Sequence, residues 1–237
     1  MDGIAKTQGL SRASLLLCYI TGRTQFPGGR ADQELRLLKK IAECAAAGVD
    51  YIQLREKDLS SRDLEALARK AVAALPSGSP SKLLINARVD VALACGAHGV
   101  HLPTNDLAAS EVRAVFSRVG RAGNAAAVIG VSAHSVEEVA RAEAQGADFV
   151  IFAPVFEKSG QANPQGLGQL RQACHRAHLA GTSSFSSSSM PVLALGGVTV
   201  ENAPQCLAAG AAGIAAIRLF QQNDVEQMVG RLRSLHR

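Results

Sequence analysis

A chain of 237 residues is long enough to bury a full core and lies in the range where an α/β barrel is a single domain, so one domain is expected. Its 47% hydrophobic share, with 4% aromatic residues and no tryptophan, suits an interior of alanine, valine, leucine and isoleucine, and excludes a nucleic-acid surface built on stacked aromatics. The net charge of +5 comes from scattered lysines and arginines with no run that marks a DNA or membrane patch, which leaves an anionic small ligand or a solvated surface as its meaning.

The opening MDGIAKTQGLSRAS holds no apolar leader core, and the first apolar run, Leu15 to Ile20, has the length of a strand rather than of a membrane span. We expect an N-terminal tail over 1–13 and one domain over 14–237. Cysteines at 18, 44, 95, 174 and 206 form no CxxC pair and no Cys/His set at zinc spacing, so they read as reduced core residues of a bacterial-type cytoplasmic enzyme.

From there apolar runs alternate with Ala-rich helical patterns. Strands are expected near 15–21, 51–56, 82–86, 99–102, 128–132, 149–155, 191–196 and 213–217, and helices near 32–47, 60–75, 88–95, 107–117, 135–145, 167–180, 200–209 and 222–235. A short phrase introduces four of the strands: Ala47-Gly48-Val49-Asp50, Cys95-Gly96-Ala97-His98, Gln145-Gly146-Ala147-Asp148 and Ala209-Gly210-Ala211-Ala212. Glycine just past a helix end supplies the left-handed residue that stops it, and the apolar run that follows reads as a buried parallel strand. Eight βα units in one domain close into a (β/α)8 barrel of the TIM type, whereas an open doubly wound sheet announces itself with a G-x-G-x-x-G turn that is missing after Ile20-Thr21. The expected fold class is therefore α/β, a single-domain TIM barrel.

Two segments break the rhythm. FEKSGQANPQG at 156–166 follows the sixth strand on the active face and reads either as a mobile lid or as a plain surface loop. GTSSFSSSS at 181–189 precedes the seventh strand on the opposite face and reads as a flexible insertion without catalytic meaning.

Polar residues at the strand C-termini form one constellation around the barrel mouth. Gln53, Arg55 and Lys57 follow the second strand at alternate positions, so all three project to one side, and a guanidinium fork beside a point charge suits a diphosphate. Asn86 ends the third strand. Asp106, after the fourth, is either a carboxylate for Mg²⁺ or the N-cap of the fourth helix. Ser132 and His134 end the fifth strand on the same side; the histidine is either a proton shuttle or a structural loop residue, and Ser135 with Glu138 makes a capping box. Gly196 and Gly197, after the seventh strand at the start of the seventh helix, expose backbone N–H groups where barrels bind phosphate, and Ile217-Arg218 closes the same corner. His98, His175, His178 and His236 lie in helix or loop contexts and are taken as structural.

The segments QLREK at 53–57, LLINARVDVAL at 83–93, GAHGVHL at 96–102 with Asp106, IGVSAHS at 129–135, FAPVF at 152–156 and LALGGVTVEN at 193–202 closely resemble the thiamine-phosphate synthase and TenI superfamily. In that family the synthase joins hydroxymethylpyrimidine diphosphate to thiazole phosphate, releasing diphosphate through a pyrimidine-methyl cation that the thiazole nitrogen captures. The resemblance implies phosphorylated pyrimidine and thiazole substrates bound by Gln53, Arg55, Lys57, Asn86, Ser132, Lys158, Gly168, Gly196, Gly197, Ile217 and Arg218, with Lys57, Ser132 and His134 as catalytic candidates and Mg²⁺ at Asp106. It implies no nucleic-acid or membrane partner, and leaves a homo-oligomer open. Two departures are specific: Ala87 stands where the family has an aspartate that is the second magnesium ligand, and Glu157-Lys158-Ser159-Gly160 stands where it has Thr-x-Thr-Lys. A synthase is the first expectation. The alternatives are a TenI-like thiazole tautomerase, with a metal-free proton shuttle at His134, and a non-catalytic thiazole-phosphate-binding regulator.

Overall fold

The computed structural model describes residues 15–119, 126–157, 164–180 and 190–235. Eight strands are hydrogen-bonded in chain order into a closed parallel barrel: β1 (Leu16–Ile20), β2 (Tyr51–Leu54), β3 (Lys82–Asn86), β4 (Gly99–Leu102), β5 (Val128–Ala133), β6 (Phe149–Phe152), β7 (Val192–Ala194) and β8 (Gly213–Ala216). Outside them lie α1 (Arg30–Ala46), α2 (Ser61–Ala73), α3 (Val89–Cys95), α4 (Ala109–Val119), α5 (Val136–Ala144), α6 (Gly166–Ala180), α7 (Ala203–Ala208), α8 (Arg218–Gln221) and α9 (Val225–Ser234). Every expected unit is present. The short α8 was not anticipated, and β6 stops at Phe152, shortly before Pro154, which has no N–H to offer the ladder. The expected tail over 1–13, the Ser-rich segment 181–189 and Lys158 lie outside the described residues.

Strand alternation divides the buried apolar residues into two sets. One side of each strand packs against the helices, as Leu17, Ile52, Ile85, Val100 and Ile129 do. The other side fills the barrel axis with Cys18, Ile20, Leu84, Phe149, Ile151, Leu193 and Ala215. Phe149 is the largest of these and stacks on Tyr51 with ring centroids 4.4 Å apart. It fits because its neighbour on β5 is Gly130, where an added Cβ would lie 2.4 Å from the Phe149 ring.

The recurring phrase has a second use beyond stopping helices. Its fourth residue accepts the N–H of the preceding strand: Asp50 takes Leu17 at 2.7 Å, His98 Nδ1 takes Leu83 at 3.1 Å, and Asp148 takes Ile129 at 2.7 Å. Arginines from distant helices then hold the two aspartates at 2.9 Å, Arg233 of α9 on Asp50 and Arg113 of α4 on Asp148. Each guanidinium also reaches the glycine carbonyl of the same phrase, Gly48 or Gly146. In the fourth copy the position is Ala212, which has no side-chain acceptor, so this N-terminal-face bracing is built at three corners. His98 is structural, as expected.

All five cysteines are buried free thiols. Burial pushes Cys44 and Cys174 up to about 12 and Cys206 to about 11, which keeps them protonated and unreactive. We predict that Gly130→Ala destabilises the barrel by about 1–3 kcal/mol, the usual cost of overpacking, measured as a lowered urea midpoint at unchanged m-value.

Candidate active site

Ligand-facing groups gather at the C-terminal end of the barrel because the inward alternation turns from apolar to polar there. Gln53 is buried inside the barrel and its Nε2 donates to Asn86 Oδ1 at 2.8 Å, bringing β2 and β3 together as expected. Gln53 Oε1 is buried and has no hydrogen-bond partner among the described residues. Arg55 is half-buried at the mouth, while Lys57 is exposed on the loop beyond, since β2 ends at Leu54. The expected wall is therefore graded, with an amide inside, a guanidinium at the lip and an ammonium outside. Among the described residues neither cation pairs with a carboxylate, in contrast to Arg113 and Arg233.

His101 is the residue that sequence reasoning left without a role. It lies inward on β4 and is fully buried, with Nε2 2.9 Å from Ser132 Oγ and its ring centroid 6.0 Å from that of Phe149. Burial, with a smaller contribution from the Arg55 charge, lowers its pKa from 6.5 to about 3, so the imidazole is neutral at physiological pH and acts as a hydrogen-bonding wall rather than a base. The signal was present: with Val100 and Leu102 facing the helices, Gly99 and His101 face the axis.

Ser132 and His134 differ in partners and exposure. Ser132 turns inward to His101, whereas His134 lies past the end of β5 and is exposed. The His134 Nδ1 sits 2.7 Å from the Ala153 carbonyl, which only accepts, so Nδ1 carries the proton and Nε2 is left free. Ser135 caps α5 through the Glu138 N–H, but the Glu138 carboxylate reaches the His134 N–H instead of closing the box.

Asp106 is not a helix cap. α4 starts at Ala109, and Glu111 satisfies the Ala108 N–H at 3.1 Å, while among the described residues Asp106 accepts from its neighbour Leu107 alone, at 2.8 Å. It is exposed, and with Thr104, Ser132, Glu138 and Arg141 it lines a cleft of about 370 Å³. After β3, Ala87 takes φ 61° in a three-residue turn closed by the Arg88 N–H on the Asn86 carbonyl at 2.8 Å. A left-handed conformation is costly for alanine and easier for Asn, Asp or Gly.

Gly196 and Gly197 lie in a loop, not at a helix start, because α7 begins only at Ala203. Both have positive φ, and a Cβ at either would run into Pro154 or Phe156 of the loop after β6. Among the described residues, no acceptor takes the N–H groups of Gly196, Gly197 or Val198. They line a cleft of about 450 Å³ together with Ile217 and Arg218, as expected, and with Gln25 and Asn223, which were not. Gly168 lies in the first turn of α6 and lines neither cleft; a Cβ there would meet nothing within 4 Å.

A family model described as thiamine monophosphate synthase matches residues 18–220. A Geobacter sulfurreducens protein is 41% identical over 211 residues, covering 88% of this chain and 87% of its own. The thiamine-phosphate synthase of Methanoculleus marisnigri is 38% identical over 216 residues, 91% of this chain and 92% of that one. The solved thiamine phosphate pyrophosphorylase of Pyrococcus furiosus superposes with a TM-score of 0.72 at 27% identity, covering 94% of this chain and 96% of that chain.

His101 predicts a specific acid sensitivity. Its pKa is lowered by folding, so its contribution is complete above the unfolded value near 6.5 and is lost as pH falls toward about 3. Between pH 7 and pH 5 this group alone removes about 2 kcal/mol of unfolding free energy, and His101→Gln flattens that limb in urea titrations at the two pH values.

Proposed function

The chain belongs to the thiamine monophosphate synthase family, and we infer that it is a transferase of thiamine biosynthesis that makes thiamine phosphate from hydroxymethylpyrimidine diphosphate and thiazole phosphate. The bond from the pyrimidine methylene carbon to the diphosphate oxygen breaks, the electron pair leaves with diphosphate, and the thiazole nitrogen lone pair forms the new C–N bond. The observation that carries this reading is the pair of cations, Arg55 and Lys57, that no carboxylate among the described residues opposes, beside the Gln53–Asn86 amide pair. A half-buried guanidinium without a carboxylate is stabilised when an anion fills its fork, and negative charge accumulates on the diphosphate as it leaves.

The remaining assignments follow the clefts. Ser132, held by His101, faces the pyrimidine or its diphosphate. The N–H groups of Gly196 and Gly197, which no described residue accepts, suit with Arg218 the phosphate of the thiazole. Mg²⁺ would fit with one free carboxylate, Asp106, because the other carboxylate of the cleft, Glu138, already accepts the His134 N–H and the Thr104 hydroxyl; water and substrate phosphate oxygens would complete the shell. When bound, the ion would neutralise charge on the departing diphosphate. Ala87 offers it no ligand, but its left-handed backbone is one that an aspartate tolerates. The relatives' names favour the synthase over a metal-free tautomerase or a binding protein. A cytoplasmic site of action goes with this reading, and the five free thiols suit a reducing compartment.

Incubation with both substrates and Mg²⁺ is expected to yield thiamine phosphate and diphosphate in equal amounts; absence of both products overturns the assignment. Arg55→Ala is expected to lower kcat/KM by about 100-fold at unchanged melting temperature. Ala87→Asp is expected to lower the Mg²⁺ concentration needed for half-maximal rate, read from a metal titration of both proteins.

A further inference from the structure

Two residues past β2, between the two cations of the grip, the chain carries a buried carboxylate that none of the roles above uses. Glu56, between Arg55 and Lys57, accepts the Thr21 hydroxyl at 2.6 Å on Oε1 and shares the Arg23 backbone N–H between its two oxygens at 3.1 and 3.0 Å. Thr21 Oγ1 in turn accepts the Arg55 backbone N–H at 2.9 Å. Thr21, Arg23 and Glu56 are all buried. The Arg23 guanidinium lies 3.8 Å from Glu56, pairs with Asp58 and donates to Gln33. Burial pushes the Glu56 carboxyl up while the Thr21 and Arg23 donors pull it back. An ion pair in so dry a place is a poor route to stability, but it is a rigid one.

We propose that Glu56 is a positioning residue for the anion grip: through Thr21 it fixes the backbone at Arg55, past the last ladder bond of β2, and so aims Arg55 and Lys57 at the diphosphate. β2 needs such a clamp because its strand pairing ends at Leu54, one residue before the guanidinium that must be held. The end of β1 has its own anchor, since Tyr19 donates to Gln221 at 3.0 Å and Gln221 donates to the Gly22 carbonyl at 2.9 Å. Removing the Thr21–Glu56 bridge therefore loosens the grip without opening the barrel.

The proposal rests on the anion-binding reading of the mouth, and calorimetry with inorganic diphosphate and Mg²⁺ tests it apart from turnover. Thr21→Val keeps the branched shape and removes the bridge; Thr21→Ser keeps the hydroxyl; Glu56→Gln removes the charge. Thr21→Val and Glu56→Gln are expected to weaken diphosphate binding about tenfold and to raise KM for the pyrimidine diphosphate similarly, with KM for thiazole phosphate within about twofold of wild type. Thr21→Ser is expected to restore binding to within about twofold. Unchanged binding in the folded Thr21→Val protein, equal weakening in Thr21→Ser, or a parallel rise in both KM values overturns the role. If Thr21→Val does not fold, Glu56→Gln and Thr21→Ser decide the matter by the same readings. A wild-type protein that binds no diphosphate also overturns it, whereas one that binds diphosphate but forms no product leaves the role standing and removes the synthase reading instead.

Discussion

Eight parallel strands joined edge to edge leave no free edge, and the β8–β1 ladder that completes the ring, Leu16 with Gly213 through Tyr19 with Ala216, fixes which side of every strand faces the axis. Each inward residue must then be something the axis can hold. Over most of its length that is apolar, from Cys18 and Leu84 to Phe149 and Leu193. Only toward the C-terminal end do Gln53, Asn86, His101 and Ser132 appear on the same inward faces. Their pairing across strands is what makes burial tolerable, because an unpaired buried polar group costs about 1–3 kcal/mol. The pairing is incomplete at Gln53 Oε1 and His101 Nδ1, so this layer is rigid but not fully satisfied by the protein alone.

The same closure separates two populations of arginine. On the N-terminal face Arg113 and Arg233 are tied to aspartates and glycine carbonyls and brace the ladder where the strands begin. On the C-terminal face Arg55 and Arg218 have no carboxylate partner among the described residues, and each stands at a strand end where an anion can reach it. Arg23 belongs with the first group in chemistry and with the second in position, since its ion pairs clamp the strand that presents Arg55. Stability and ligand binding thus draw on one residue type, and Arg88, paired with Asp90 just after β3, shows that position alone does not sort it.

Several features were legible because they depend on local period or on a left-handed glycine. The four Gly-containing phrases marked helix stops, and Gly48, Gly96, Gly146 and Gly210 all have positive φ. Gln53, Asn86, Ile217 and Arg218 lie at or just past strand ends, as do Gly196 and Gly197, although these two sit in a loop and not at a helix start. Others stayed open because a local pattern had two outcomes. Asp106 could be a helix cap or a free carboxylate, and α4 starts two residues later than a cap there requires. Strand alternation puts Ser132 and His134 on one side, but it does not tell that β5 ends between them at Ala133, nor that the His134 ring reaches the Ala153 carbonyl. Glu56 was invisible as a functional residue because its partners, Thr21 and Arg23, are supplied by another strand end.

Sequence by itself determined the number and order of the βα units and the family, since hydrophobic period and glycine punctuation are properties of neighbouring residues. It also showed where the chain departs from the family pattern, because Ala87 carries no side-chain ligand in any conformation. Tertiary structure alone decided which polar groups meet. The Gln53–Asn86 pair spans 33 positions and the His101–Ser132 pair 31, and both exist only because the stagger between adjacent strands puts those side chains at one height in the barrel. It also decided that His101 is neutral and Arg55 unopposed, for both follow from the volume and charge of what surrounds them rather than from the residues beside them in the chain.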